Sequence, residues 1–217
     1  MISKRRLAAG AIYVEQDLIG EDVGSQDQVA AAFGGLNRVE FNGKENFVVQ
    51  PVTLNRRKIT ELQNHLMFFF TGFSRTASEI AAEQIQNTSA KGSELDTMRQ
   101  MVDEAVEILN SDSENIESFG KLLNESWKLK RSLSSRVSTN EIDDMYDTAL
   151  GAGAIGGKLC GAGGGGFMLL FVPPRKQRLV RKALEKLLHV PFHFETLGSQ
   201  IIVYAHQDSY QEQTARS

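Results

Sequence analysis

The sequence predicts an α+β fold in which an antiparallel sheet is covered by helices on one face. Three observations carry that expectation. The elements read in the order strand, helices, strand, helix, strand, strand, which suits segregated helices and sheet. Leu66–Phe70 and Phe167–Val172 are short apolar runs with the length of buried strands. Asn42-Gly43, set between two apolar stretches, has the composition of a tight hairpin turn.

Taken in order, residues 3–19 place Leu7, Ala8, Ala11, Ile12, Val14, Leu18 and Ile19 mostly at three- and four-residue steps, so an amphipathic helix is expected, stopped by Gly20. Ser25 with Gln28 three residues on is a capping-box pattern, predicting a second helix through Phe33 that ends at Gly34-Gly35. Leu36–Phe41 and Asn46–Leu54 form the hairpin. A polar stretch leads to a buried strand at Asn64–Thr71, after which Ser74 or Arg75 opens a helix. Two helices are expected between 91 and 131, either side of Ser111-Asp-Ser113, and Thr139 caps another through Leu150. A glycine-rich loop over 151–166, a strand at Phe167–Val172, a helix from Pro174 to Leu188, strands at Phe192–Thr196 and Gln200–Ala205, and a polar tail complete the chain.

The 217 residues suffice for one large domain or two small ones. No apolar run approaches the roughly 20 residues of a membrane-spanning helix, so no membrane role is expected. One cysteine, Cys160, excludes an intramolecular disulfide framework and fits a reducing cytoplasm. A net charge of −3 argues against a nucleic-acid surface, which is usually basic. Any site for anions must therefore gather its positive charge locally.

Gly161-Ala-Gly-Gly-Gly-Gly166 is the most distinctive motif. It runs straight into an apolar strand, so it is built into a core and is not a linker. It matches neither a P-loop nor a dinucleotide fingerprint. Glycines here either bring backbone close to a ligand or permit tight packing. Asp27 sits in the first turn of its helix, where an acid suits the helix dipole but is also held rigidly enough to take a hydroxyl proton. Glu15 precedes it by twelve residues, with Gly20 and Gly24 letting the chain fold back. A carboxylate pair so formed suits Mg²⁺, although Asp17, Glu21 and Asp22 are also near. Thr71-Gly-Phe-Ser-Arg75, between a strand and a helix start, has the ingredients of a phosphate site. Lys128-Leu-Lys-Arg131 reads first as a solvated helix face, with a phosphate contact as the lesser alternative. His189 and His193 cannot share a helical face across Pro191, so no zinc pair is expected.

Together these segments resemble the GHMP kinase superfamily. Gly24-Ser-Gln-Asp-Gln-Val-Ala-Ala-Ala-Phe-Gly-Gly-Leu-Asn37 resembles its catalytic segment, and Ala154-Ile-Gly-Gly-Lys-Leu-Cys-Gly-Ala-Gly-Gly-Gly-Gly-Phe167 its C-terminal glycine motif. Thr71–Ile80, Trp127–Ser135 and Glu141-Ile-Asp143 are similar to the branch acting on D-glycero-D-manno-heptose 7-phosphate. The resemblance implies ATP-dependent phosphorylation of a sugar's anomeric hydroxyl, with ATP and Mg²⁺ required. It implies Asp27 as the acid/base residue, Glu15 as the Mg²⁺ ligand, and Gly161, Ala162, Gly163, Gly164 and Gly165 along the nucleotide. Gly24, Ser25, Gln26, Thr71, Ser74 and Arg75 would meet the sugar phosphate.

The family's Pro-x-Gly-x-Gly-Leu-Gly-Ser-Ser phosphate loop is absent from these residues. The expected organisation is therefore an incomplete ribosomal-S5-domain-2-like portion over 1–60, a GHMP-kinase C-terminal domain with a ferredoxin-like core over 61–206, and a tail over 207–217. The first portion should expose apolar surface and call for a homodimer contact or a partner supplying the missing segment. The rival expectations are a non-enzymatic sugar-phosphate-binding remnant, or a kinase for fucose or N-acetylhexosamines.

Overall fold

The computed structural model describes residues 2–43, 46–73, 77–112 and 115–202. Helix α1 (Lys4–Tyr13) starts at Ser3, whose Oγ accepts from Arg6 N at 3.2 Å. It continues into a π-helical turn, Val14–Ile19, that Gly20 ends at φ +78. Ala8 and Ile12 are its buried face, packed with Val29 and Ala32 of α2 (Gln26–Phe33) and with Phe47. The expected capping box at Ser25 does not form, because both of its members are drawn to the π-helical turn. Gln28 donates its amide to Glu15 Oε2, and Ser25 Oγ accepts from Gln16 Nε2 at 3.3 Å. The hairpin is as expected: β1 (Asn37–Phe41) pairs antiparallel with β2 (Phe47–Pro51), Val39 facing Val49.

The polar stretch after the hairpin is helical, against expectation. Helix α3 (Arg56–His65) starts at Asn55, whose Oδ1 accepts from Lys58 N at 2.8 Å. Its only buried apolar side chain is Leu62, too thin a stripe for periodicity to register. Strand β3 (Leu66–Phe70) follows, then α4 (Ala77–Asn87), α5 (Gly92–Asn110), α6 (Glu117–Ser132) and α7 (Asn140–Gly151). Thr139 caps α7 as predicted, its Oγ1 accepting from Ile142 N at 3.4 Å.

Inside the stretch read as a continuous glycine loop lies a strand, β4 (Gly156–Leu159). Glycine is needed there for approach: a Cβ on Gly156 would stand 2.1 Å from the Gly120 carbonyl oxygen of α6. Strand β5 (Phe167–Phe171), α8 (Gln177–Ala183) and the two-residue β6 (Leu188–His189) complete an antiparallel sheet of order β4-β5-β3-β6. Met67 and Phe69 of β3 lie opposite Leu170 and Met168 of β5. These four pack with Trp127 of α6 and with Ile142 and Tyr146 of α7, forming the main core. The alternate residues Leu66 and Phe171 pack with Leu62, Leu109 and Ile116, so helices reach the sheet from both sides at that end instead of one.

Phe192–Thr196 is not a strand. The Gln63 side chain takes the place of a neighbouring strand, donating to Phe192 O at 3.0 Å and accepting from Phe194 N at 2.9 Å. The chain then returns to α2, where Gly35 N donates to Glu195 O at 2.8 Å and Ser199 N to Ala31 O at 2.9 Å. Residues 200–202 are not in a strand either, and 203–205 and the 207–217 tail lie outside the described residues. Among the described residues no helix is long and apolar enough to cross a membrane. Tyr13, Val14, Leu18 and Ile19 are all exposed, an apolar patch on the first portion.

Candidate active site

A cleft of ≈ 760 Å³ opens between the two ends of the chain. One side is Glu15 from the π-helical turn with Gly24, Gln26 and Asp27 at the start of α2; the other is Lys130 of α6, Lys158 of β4, and Gly161 and Ala162. Glu15 is half-buried, its carboxylate held by the Gln28 amide. The other Gln28 side-chain atom, Oε1, is buried without a partner. Asp27 is exposed and lines the cleft from the first turn of α2.

The opposite side carries positive charge. Lys130 Nζ donates to Gly161 O at 2.5 Å, and neither Lys130 nor Lys158 is paired with a carboxylate among the described residues. Burial, reinforced by the neighbouring Lys158 charge, pushes the Lys130 ammonium down to about 8; Cys160 and Asp27 oppose that shift weakly. The Cys160 thiol is pushed up, by burial first.

The sequence-predicted residues divide. Glu15, Gly24, Gln26, Asp27, Gly161 and Ala162 share the cleft. Ser25 does not line it, being engaged by Gln16. Gly163 and Gly165 serve packing: an added Cβ would stand 2.7 Å from the Val137 and Phe73 carbonyl oxygens respectively. The amides of Gly164 and Gly166 are spent on those same two carbonyls, at 2.9 and 2.8 Å, so this part of the loop is not an open cradle for phosphate. Thr71 is 2% exposed, and its hydroxyl donates to Gly166 O at 2.9 Å, which fastens β3 to the glycine loop. Ser74 and Arg75 lie outside the described residues.

Sequence reasoning passed over Lys158 and reached Lys130 only within the basic run on α6, where a phosphate contact was the lesser alternative. The basic run on α6 splits by helical phase: Trp127 is buried, Lys128 turns to solvent and pairs with Glu125 at 2.7 Å, and Lys130, three residues after Trp127, turns into the cleft. Arg131 lies 5.8 Å from the Trp127 and Tyr146 ring centroids and pairs with Asp143 at 2.7 Å. The buried tryptophan was the available signal. Among the described residues no three His, Cys, Asp or Glu side chains are grouped to hold a metal unaided. One or two carboxylates facing a phosphate site nevertheless fit Mg²⁺, which keeps water and phosphate oxygens as its other ligands.

The cleft and sheet coincide with a known architecture. Residues 94–190 match the family described as GHMP kinases C terminal. It is similar to the D-glycero-alpha-D-manno-heptose 7-phosphate kinase of Campylobacter jejuni, 31% identical over 85% of this chain and 55% of the relative. It is also similar to the crystal structure of a D-glycero-D-manno-heptose 1-phosphate kinase from Bacteriodes thetaiotaomicron, with TM-score 0.62 and 25% identity over 94% of this chain and 57% of that one. A mevalonate kinase of Pyrococcus horikoshii is 40% identical over a shorter span, 42% of this chain and 27% of the relative. The chain thus spans about half the length of the heptose-phosphate kinases it matches.

Proposed function

We propose that this chain is the portion of an ATP-dependent sugar kinase that carries the acid/base residue, and that its acceptor is D-glycero-D-manno-heptose 7-phosphate, phosphorylated at the anomeric hydroxyl. The observation that carries the reading is the placement of Asp27 in the cleft, in a chain similar over most of its length to a heptose 7-phosphate kinase. In the proposed reaction an Asp27 oxygen accepts the proton of the anomeric hydroxyl. The hydroxyl oxygen then bonds to the γ-phosphorus of ATP as the bond to the bridging oxygen breaks and ADP leaves. Glu15 would hold Mg²⁺, whose contribution when bound is to neutralise phosphate oxygens. Gly161 and Ala162 would flank the reacting groups. The barrier falls mainly through positioning and charge, which suits a site with one exposed acid and a cationic side.

The domain division goes with this reading: 1–60 as part of the N-terminal domain, 61–206 as the C-terminal domain. It is supported by the separate core around Ile12, Val29 and Phe47. The exposed Tyr13, Val14, Leu18 and Ile19 suit contact with further kinase sequence, supplied by an upstream segment, a second copy or a partner. A cytoplasmic setting follows from the use of ATP. The test is coupled ATP consumption over a panel of sugars and sugar phosphates, comparing this chain with an N-terminally extended form and its Asp27→Asn variant. The extended form should turn over heptose 7-phosphate, and Asp27→Asn should lower kcat by about 10²–10⁴. An extended Asp27→Asn enzyme with undiminished kcat would refute the role of Asp27.

A further inference from the structure

Two lysines share one side of the cleft without an acidic partner, an arrangement that costs free energy unless something anionic completes it. The Lys158 side chain makes no hydrogen bond or ion pair among the described residues, and the Lys130 side chain has only the Gly161 carbonyl, which leaves donors of both ammonium groups unspent. Both reach the same cavity as Asp27, Gly161 and Ala162. The amides of Cys160, Gly164 and Gly166 are bonded within the protein, so these three offer nothing to an anion. At Gly161 an added Cβ would meet nothing within 4 Å, so open space lies beside the Lys130 ammonium.

We propose that Lys130 and Lys158 form a two-point clamp for a phosphoryl group, an anion-binding element made of side chains on this side of the cleft. Resting on the kinase reading above, the clamp would hold a phosphate of either the sugar phosphate or the nucleotide. A tetrahedral dianion matches two compact ammonium charges, each donating to a different oxygen. Bringing like charges together in a partly desolvated place is unfavourable in the empty protein and is reversed when the dianion enters.

Cys160, the only cysteine of the chain, adjoins both lysines and supplies a readout that needs no turnover. A dianion on the clamp offsets the lysine charges that favour the Cys160 thiolate and so lowers the thiolate fraction, and alkylation by iodoacetamide slows. The full chain is titrated with inorganic phosphate, then with ADP and with a hexose 6-phosphate in separate arms, and the rate of Cys160 alkylation is followed. Phosphate should protect. Lys130→Met and Lys158→Met should each raise the half-protecting concentration roughly ten- to hundredfold, the loss of one charge-assisted hydrogen bond, while the arginine variants retain part of the protection. The arm that protects at lower concentration identifies the source of the phosphate. Unchanged protection in both methionine variants, with thermal melts showing them folded, would overturn the clamp. Failure of the clamp with Asp27→Asn still silencing turnover would leave the kinase reading standing. Lysine-dependent protection in a chain whose extended form never turns over would leave the clamp and remove the kinase reading.

Discussion

The desolvated ammonium of Lys130 should make the protein less stable than it would be without it. Its position drops it from 10.5 to about 8, which corresponds to about 3 kcal/mol at neutral pH. Against this stands the hydrogen bond to Gly161 O, worth about 1–2 kcal/mol with a charged donor. Methionine keeps the apolar stem and removes the charge, so Lys130→Met should stabilise the chain by about 1–2 kcal/mol at pH 7. The sign follows from linkage. The folded-state value lies below the unfolded one, so between about pH 8 and 10.5 the unfolded chain binds more protons. The wild type therefore gains stability on this account as pH rises through that window, and the penalty is fully present below it. Lys158, Cys160 and Asp27 face the same ammonium; because Cys160 titrates upward and opposes the trend, the measured quantity is the difference between wild type and variant. Urea unfolding of both chains at pH 7 and pH 10.5 gives that difference. The variant's advantage should shrink toward zero or reverse at the higher pH. A variant less stable than wild type at pH 7, by the same amount at both pH values, would refute the reasoning.

Two further substitutions test how the frame holds the site. Gly156→Ala would place a Cβ 2.1 Å from the Gly120 carbonyl oxygen, backbone that cannot swing aside, so the α6–β4 contact must open. A loss of about 2–4 kcal/mol is expected, read from thermal or urea melts; a loss below 0.5 kcal/mol would show the contact to be looser than described. Thr71→Val removes the hydroxyl donated to Gly166 and should cost about 1–2 kcal/mol. In an active extended form it should leave KM for the sugar phosphate unchanged. A large rise in KM with intact stability would instead make Thr71 a substrate contact.

How far the fold could be read in advance depended on how local its causes were. The helix at Thr139, the end of α5 before Ser111 and the hairpin around Asn42-Gly43 were legible because cap, breaker and turn chemistry act within a few residues. Helix α3 was hidden by its single buried apolar residue, and β4 by glycines that usually mark loops but here admit the backbone of α6. The false strand at Phe192–Thr196 had strand-like composition, yet its partner is the Gln63 side chain, which no periodicity reveals. In the cleft, Asp27, Glu15 and Gly161 could be singled out because their spacing follows a family pattern. Lys130 could have been found by counting three residues on from Trp127, but only once that tryptophan was known to be buried.

The amino-acid sequence by itself therefore determined the α+β class, most element positions, and the Asp27 segment and glycine motif as candidates that the fold brings to one cleft. Those properties rest on near-neighbour backbone preferences and on residue types at fixed spacing. The tertiary structure decided the division of labour within the motifs: which glycines pack and which face the cleft, why Thr71 serves the loop, and that two lysines 28 positions apart share one cavity. The physical reason is that burial, close approach and the joining of like charges depend on distances between remote parts of the chain, and those distances exist only once it has folded.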